Sequence, residues 1–390
     1  MRRIAIIGGG LQGIEVTYLA QKAGYKVLLI DKRRDVPAFN LADETIICDI
    51  MKEKEKFKES LDGVDLILPT TENNAALQTL KSMDSKIDIP IVFDWAAYQI
   101  TNSKEKSKKL FSEYDIPQAD LWPKADFPLI IKPSSASGSQ EVHRAENKQE
   151  LDEVLTNLKA AESDLIIEEY LPGPSYSIEV IGYQDQILPL VTTYLDFDVD
   201  YDCRQVISTD NLEFIDTELR ERLNELSSKI AKKIGLNGIM DLEVIRGEND
   251  IKVLEIDARF PSQTPITVFW ATGLNMVELL VKLYLEEGIE PESKDSFSEN
   301  KSVIYEHIKM QNEVLEVCGE HIISRSTDLR LERDFFGAVE AITNYGFRKQ
   351  EWVATLIFTA DSLVEAFKQR DRTLNKISEI NSLSKTKVKR

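Results

Sequence analysis

The run Lys252-Val253-Leu254-Glu255-Ile256-Asp257-Ala258-Arg259-Phe260-Pro261 sets two carboxylates and a guanidinium at every second position. Side chains on a strand alternate between faces, so Glu255, Asp257 and Arg259 share one face while Leu254 and Ile256 take the other. Two acids a few ångströms apart raise each other's pKa unless a cation lies between them. The array therefore points to a divalent metal ion, with an anion such as phosphate held by Arg259. An exposed ion-pair ladder has the same spacing, so the surrounding segments decide between the two.

Those segments favour a site. The strand Gly238 to Ile245 turns back through Gly247-Glu248-Asn249-Asp250 onto 251–257, which brings Glu243 beside Glu255 and Asp257. Three carboxylates on one sheet face are more than solubility needs. Upstream, an apolar strand over 127–131 ends in Lys132-Pro133 and runs into Ser134-Ser135-Ala136-Ser137-Gly138-Ser139-Gln140-Glu141-Val142. Small residues let backbone N–H groups and hydroxyls approach phosphate oxygens closely. A flexible linker is the plainer alternative, but a linker has no reason to start from a buried strand carrying lysine. The strand Leu165 to Leu171 follows, then the turn Pro172-Gly173-Pro174, then Tyr176 to Ile181 with Ser177 and Glu179 on one face. Helices are expected near 147–160 and 217–234.

Residues 3–94 alternate short apolar runs with helical patterns, the signature of a βαβ series on a parallel sheet, with its last strand at Pro90 to Phe93. The first turn, Gly8-Gly9-Gly10-Leu11-Gln12-Gly13, reads as a dinucleotide fingerprint with Asp31 ending the second strand. Glycine turns of this kind also occur where a nucleotide fold has lost its cofactor. Around Thr101 the chain changes to a lysine-rich helix, most of whose lysines read as a solvated face, and a third region begins near Glu299. That region holds no chemical motif beyond Tyr305-Glu306-His307; it reads as a lid or a scaffold, and His307 as a structural histidine.

The 390-residue length suits two or three domains. A net charge of −19 argues against nucleic-acid binding, and no apolar run approaches the ~18 residues a membrane span needs. The N-terminus reaches glycine too soon for a signal peptide, and three dispersed cysteines argue against disulfides and zinc. A reducing cytoplasm fits best. The basic C-terminus reads as a frayed tail.

Taken in order, Lys104, the Lys132-Pro133 strand and its small-residue loop, Glu168-Glu169-Tyr170-Leu171, Glu243, and Glu255-x-Asp257-x-Arg259 resemble the ATP-grasp family. The resemblance implies an α/β fold: a Rossmann-like pre-ATP-grasp domain at 1–100, a two-lobed ATP-grasp domain at 101–298, and a small α/β module at 299–390. It implies ATP with the adenine at Glu168, Glu169, Tyr170 and Leu171, and the phosphates on Lys104, Lys132 and the loop residues Ser135, Ser137, Gly138 and Ser139. Mg2+ would sit on Glu243, Glu255 and Asp257, with Arg259 stabilising an acyl phosphate. Many members carry asparagine where Asp257 stands. Ser177 falls where several relatives carry an acid that contacts ribose, so Ser177 and Glu179 share that expectation, and Leu11 and Gln12 border the nucleotide side.

A closer likeness, in Asp257-Ala258-Arg259-Phe260-Pro261-Ser262-Gln263-Thr264-Pro265, Tyr201-Asp202-Cys203-Arg204, Gly238-Ile239-Met240-Asp241 and Ile304-Tyr305-Glu306-His307, is to the ligases of pyrrolysine biosynthesis. It covers nearly the full length except the last 20 or so residues. It implies small-molecule substrates, 3-methyl-D-ornithine and L-lysine, joined as an ε-amide with ATP cleaved to ADP and phosphate. Glu179 is a candidate base for the attacking amine. Glu72 and Asn73, at the end of a first-domain strand, are candidates for one amino acid, and Tyr201, Asp202, Arg204 and Ser262 for the other. Relatives of this fold often dimerise, which makes a homodimer an expectation. Another ATP-grasp ligase shares the nucleotide site; a nicotinamide-dependent oxidoreductase would leave the three carboxylates unexplained.

Overall fold

A computed structural model describes residues 1–134, 141–158, 165–209, 211, 215–247, 250–285, 301–347, 349–380 and 385–388. Its first part is a four-stranded parallel sheet in the order Glu44–Ile47, Lys26–Asp31, Arg3–Ile7, Leu66–Pro69. Helices cover both faces, which is why these strands are nearly continuous apolar runs rather than alternating ones. Pro90 to Phe93, expected as a strand, makes only an isolated bridge between Ile67 and Ile91. The residues following Ile91 pass instead into the helix Trp95–Thr101, which Asp94 caps by accepting the N–H groups of Ala96 and Ala97.

A three-stranded antiparallel sheet, His143–Ala145, Leu129–Pro133 and Leu165–Glu169, forms a small lobe with its own core around Leu129, Ile131 and Leu151. The larger element is an eleven-stranded sheet. One end is the expected hairpin of Gly238–Arg246 and Ile251–Asp257, and the path continues through Ser175–Tyr183, Gln186–Phe197 and Cys203–Ser208. There Cys203–Ser208 pairs antiparallel with Ser302–Gln311, so the sheet runs unbroken into the last third of the chain. That continuity carries residues beyond 300 to the edge of the carboxylate face.

The helix Thr217–Ile234 packs under the hairpin end. Asp216 caps it by accepting the Leu219 N–H, and Gly235 ends it at φ 64°, a left-handed geometry suited to glycine. It buries Ile178, Val180, Met240, Leu242, Val244 and Ile256, all from one face of the sheet. Alternation then obliges their neighbours to face the other way. Among the described residues no single helix is long and apolar enough to cross a membrane.

Candidate active site

Strand register builds the site. Glu243 stands opposite Glu255 and Asp241 opposite Asp257; on the other side Glu243 faces Ser177 and Asp241 faces Glu179. Two cross-strand rows result, Ser177–Glu243–Glu255 and Glu179–Asp241–Asp257, on the face away from the helix. Burial, then the charge of Glu255, pushes the Glu243 carboxyl up to about 8. Burial, then Asp257, holds Asp241 well above the ordinary carboxylate range.

The neighbouring cations are already engaged. Lys104 Nζ donates to Glu255 Oε1 at 3.0 Å. Arg259 Nε donates to both Asp257 oxygens, at 3.0 and 2.8 Å, while its Nη1 lies 3.4 Å from Glu72. Asp257 is thus drawn off toward the arginine. Among the described residues no group of three Asp, Glu, His or Cys side chains gathers closely enough to hold a metal ion by itself. What remains of the expected trio is the facing pair Glu243 and Glu255. A half-buried pair of facing carboxylates suits Mg2+, which takes one or two carboxylates and completes its shell with phosphate oxygens and water.

Two cavities meet at that pair. A lysine-walled cavity of about 350 Å³ is lined by Lys104, Lys132, Glu168, Glu169, Tyr170 and Leu171 among others, and by Glu243 and Glu255. An arginine-walled cavity of about 190 Å³ shares Glu243 and Glu255 and continues past Asp241, Asp257, Arg259 and Ser262 to Glu72, Glu320 and His321.

In the lysine-walled cavity the structure gathers the expected residues and pairs several of their charged side chains with one another. Glu168 is ion-paired at 2.6 Å to both Lys132 and Lys108, all three nearly sealed from solvent. Burial acts to raise the Glu168 carboxyl, yet the two ammonium groups outweigh it and hold the carboxyl below its usual range. The same burial lowers the Lys108 ammonium. The Glu168 carboxylate is therefore committed to lysines, and Lys108 is not one of a solvated row. Glu169 is likewise turned to Lys252 and to the Asp120 N–H. Tyr170 lies under Arg144, 4.0 Å from guanidinium to ring centre, and Tyr201 stands on the same wall, bonded to Arg144, rather than in the arginine-walled cavity. Ser135, Ser137, Gly138 and Ser139 lie outside the described residues.

The arginine-walled cavity corrects further expectations. Leu11, Gln12 and Ser177 line this side, not the lysine side, and Gln12 donates to Glu72 at 3.0 Å. Glu179 is fully buried on this face behind Ser177, to which it is bonded at 3.3 Å; burial raises it to about 7, and it does not itself line the cavity. Asn73 spends its side-chain oxygen capping the helix Asn74–Asp84. Arg204 is paired with Asp196 at 2.9 Å, and Asp202 with His321 at 2.8 Å, so neither reaches the cavity as a free group. Asp31 accepts the N–H groups of Gly9 and Arg33, both at 2.9 Å, which fills the role a ribose hydroxyl would take in a dinucleotide fold.

Three wall residues carry no role in the sequence reading. Asp241 sits two positions before Glu243 on the same strand, so the spacing rule that found Glu243 applies to it equally. Glu320 and His321 had no such signal, because only the pairing of Cys203–Ser208 with Ser302–Gln311 brings them here. Glu320 accepts the Ser262 hydroxyl at 3.0 Å and is raised by burial, then by Asp202, to about 7. His307 is a buried spacer between Thr355 and Gln263, its imidazole lowered by burial to about 4.

Comparison with known proteins identifies the family. A family model described as ATP-grasp domain matches residues 101–263, and one described as PylC-like, N-terminal domain matches residues 4–92. The chain is 36% identical to the 3-methyl-D-ornithine–L-lysine ligase of Methanosarcina barkeri, over 84% of this chain and 85% of that one. It is 38% identical to the same-named ligase of Methanosarcina mazei, over 84% of each. In fold it is similar to the biotin carboxylase domain of Hydrogenobacter thermophilus 2-oxoglutarate carboxylase, solved with MgADP. That match has a TM-score of 0.74 at 17% identity, covering 96% of this chain and 89% of the other. Along most of its length, then, this chain belongs to the ATP-grasp family, alongside the archaeal 3-methyl-D-ornithine–L-lysine ligases.

Proposed function

We propose that this chain joins the carboxylate of 3-methyl-D-ornithine to the ε-amine of L-lysine, using ATP and Mg2+. The observation that carries the reading is the shared Glu243 and Glu255 wall between the two cavities. A nucleotide whose phosphates lie toward Lys104 and Lys132 presents its terminal phosphate at that wall, where a carboxylate held near Arg259 can attack it. Mg2+ bound there would neutralise charge on the transferring phosphoryl group. Arg259, fixed by Asp257 and Glu72, holds the acyl phosphate that results. Both substrates carry ammonium groups, and Glu72, Asp241 and Glu320 give the arginine-walled cavity the acidic lining that such groups need. The names of the archaeal relatives supply the particular pair of substrates.

Phosphate release from Mg-ATP should require D-ornithine or 3-methyl-D-ornithine and rise with L-lysine, with the ε-amide seen by mass spectrometry. Turnover only with other acids or amines keeps the ATP-grasp chemistry and discards this pair of substrates.

A further inference from the structure

His321 lines the arginine-walled cavity and also a broader cleft on its outer side, bordered by Tyr201, Lys309 and Arg325. Its ring is held from behind. Nδ1 lies 2.8 Å from Asp202 Oδ2, and the same oxygen accepts the His321 backbone N–H at 3.2 Å. Gly319 makes the approach feasible: a Cβ there would lie 1.9 Å from Asp202 Cγ, so no other residue leaves room for the carboxylate. Two loops far apart in sequence are thus clasped through one aspartate.

The clasp sets the tautomer. A neutral imidazole that donates from Nδ1 to a carboxylate has its lone pair at Nε2. Among the described residues nothing bonds Nε2 of His321, whereas His307 has both ring nitrogens occupied. A carboxylate-oriented imidazole, 27% exposed and lining both an inner cavity and an open cleft, is arranged to accept a proton at Nε2 and give it up to water from the same atom.

We infer that His321, oriented by Asp202, is the base that deprotonates the acceptor ammonium and passes its proton from Nε2 to water. The inference rests on the ligase reading above. An ammonium that becomes a secondary amide loses two protons. The first goes to Nε2 of His321 and from that nitrogen to water, leaving the amine lone pair free. That pair forms the C–N bond as the bond from the acyl carbon to the phosphate oxygen breaks, and the departing phosphate takes the second proton. Asp202 stays ionised throughout and acts as a positioning residue.

The charged groups around the ring set the direction of its pH dependence. Asp202 raises the imidazole above 6.5, burial lowers it, Glu320 raises it and Arg325 lowers it, for a net rise. Glu72, Asp257 and Arg259 face it across the inner cavity, and His143, Asp198, Asp200 and Lys309 across the cleft. Amide formation should therefore rise with pH through a midpoint above 6.5.

The test separates the two half-reactions in the full-length enzyme with Mg-ATP and D-ornithine. Hydroxylamine, a good nucleophile without help, traps the acyl phosphate as a hydroxamate; L-lysine needs the base. His321→Gln should form hydroxamate at the wild-type rate while its amide formation at pH 7 falls on the order of 100-fold. Added imidazole should restore part of that loss. Asp202→Asn should shift the midpoint of the pH profile downward, a change that a merely structural role would not produce. The chain has three histidines, so NMR titration can follow the His321 ring directly. Equal loss of hydroxamate and amide in His321→Gln, or an unchanged pH profile in both variants, overturns the inference. Absence of hydroxamate from the wild-type enzyme overturns the ligase reading, and this inference with it.

Discussion

Ser262 donates its hydroxyl to Glu320 Oε2 at 3.0 Å, joining the loop after Arg259 to a segment 58 residues later. Gln263, beside it at φ 65°, reaches His307 at 3.2 Å. The loop that ends the metal-facing strand is thereby held by the last third of the chain, so that region shapes the site as well as extending the sheet. Ser262→Ala should leave Glu320 short of one donor and raise KM for the amino-acid substrates more than it lowers kcat. Steady-state kinetics against each substrate would check this, and an unchanged KM would refute it.

Glu255→Gln should abolish turnover, a fall on the order of 100-fold or more, while thermal unfolding stays near the wild type. The carboxylate faces Glu243 and Lys104 at the wall between the cavities, and the amide keeps its shape without its charge. Retained turnover would remove the metal assignment.

Glu168→Gln tests the buried lysine pair. Losing the carboxylate leaves Lys108 and Lys132 facing each other with no counter-ion, and breaking a buried pair costs about 3–5 kcal/mol. Urea unfolding should show the loss. Because the Glu168 carboxyl is held low in the folded state, its contribution is present above the unfolded carboxylate value and is lost as pH falls through the folded one. A variant as stable as the wild type would show that the pair adds nothing.

Stability of the ligand-free protein should fall as pH rises. Burial lifts Glu15 to about 8, Glu179 to about 7, Glu243 to about 8 and Glu320 to about 7. The folded chain then binds more protons than the unfolded one from about pH 4.3 upward. The stabilisation is complete below that value and disappears as pH passes through 7 to 8. Tm measured from pH 5 to 8.5 should decline, Glu179→Gln should flatten the decline, and Mg-ATP should offset the part due to Glu243. A Tm that rises over this range would refute the assignment.

Asp31→Ala should destabilise the first turn and leave ATP turnover with a similar KM, since Asp31 serves the backbone of Gly9 and Arg33. NADH fluorescence should show no binding in either protein. Saturable NADH binding lost in Asp31→Ala would revive the dinucleotide reading.

The alternation rule placed Glu255, Asp257 and Arg259 on one face, and the hairpin turn brought Glu243 opposite Glu255; both follow from a period of two and needed no tertiary knowledge. The same rule reaches Asp241, which only attention to the preceding position would have found. Which cation each carboxylate meets was not legible. Lys108 and Lys104 stand on one lysine-rich helix, yet one is sealed against Glu168 and the other lies on Glu255, because helix rotation and lobe packing decide direction.

Local chemistry alone thus determined most of the elements, the family resemblance and the carboxylate face, since backbone periodicity and turn residues act over a few positions. Tertiary structure decided what lies across from that face. Sheet pairing between Cys203–Ser208 and Ser302–Gln311 depends on register between distant strands, and it alone sets Glu320 and the Asp202–His321 pair at the cavity. Side chains that meet only through such long-range pairing share no spacing that a linear reading can detect.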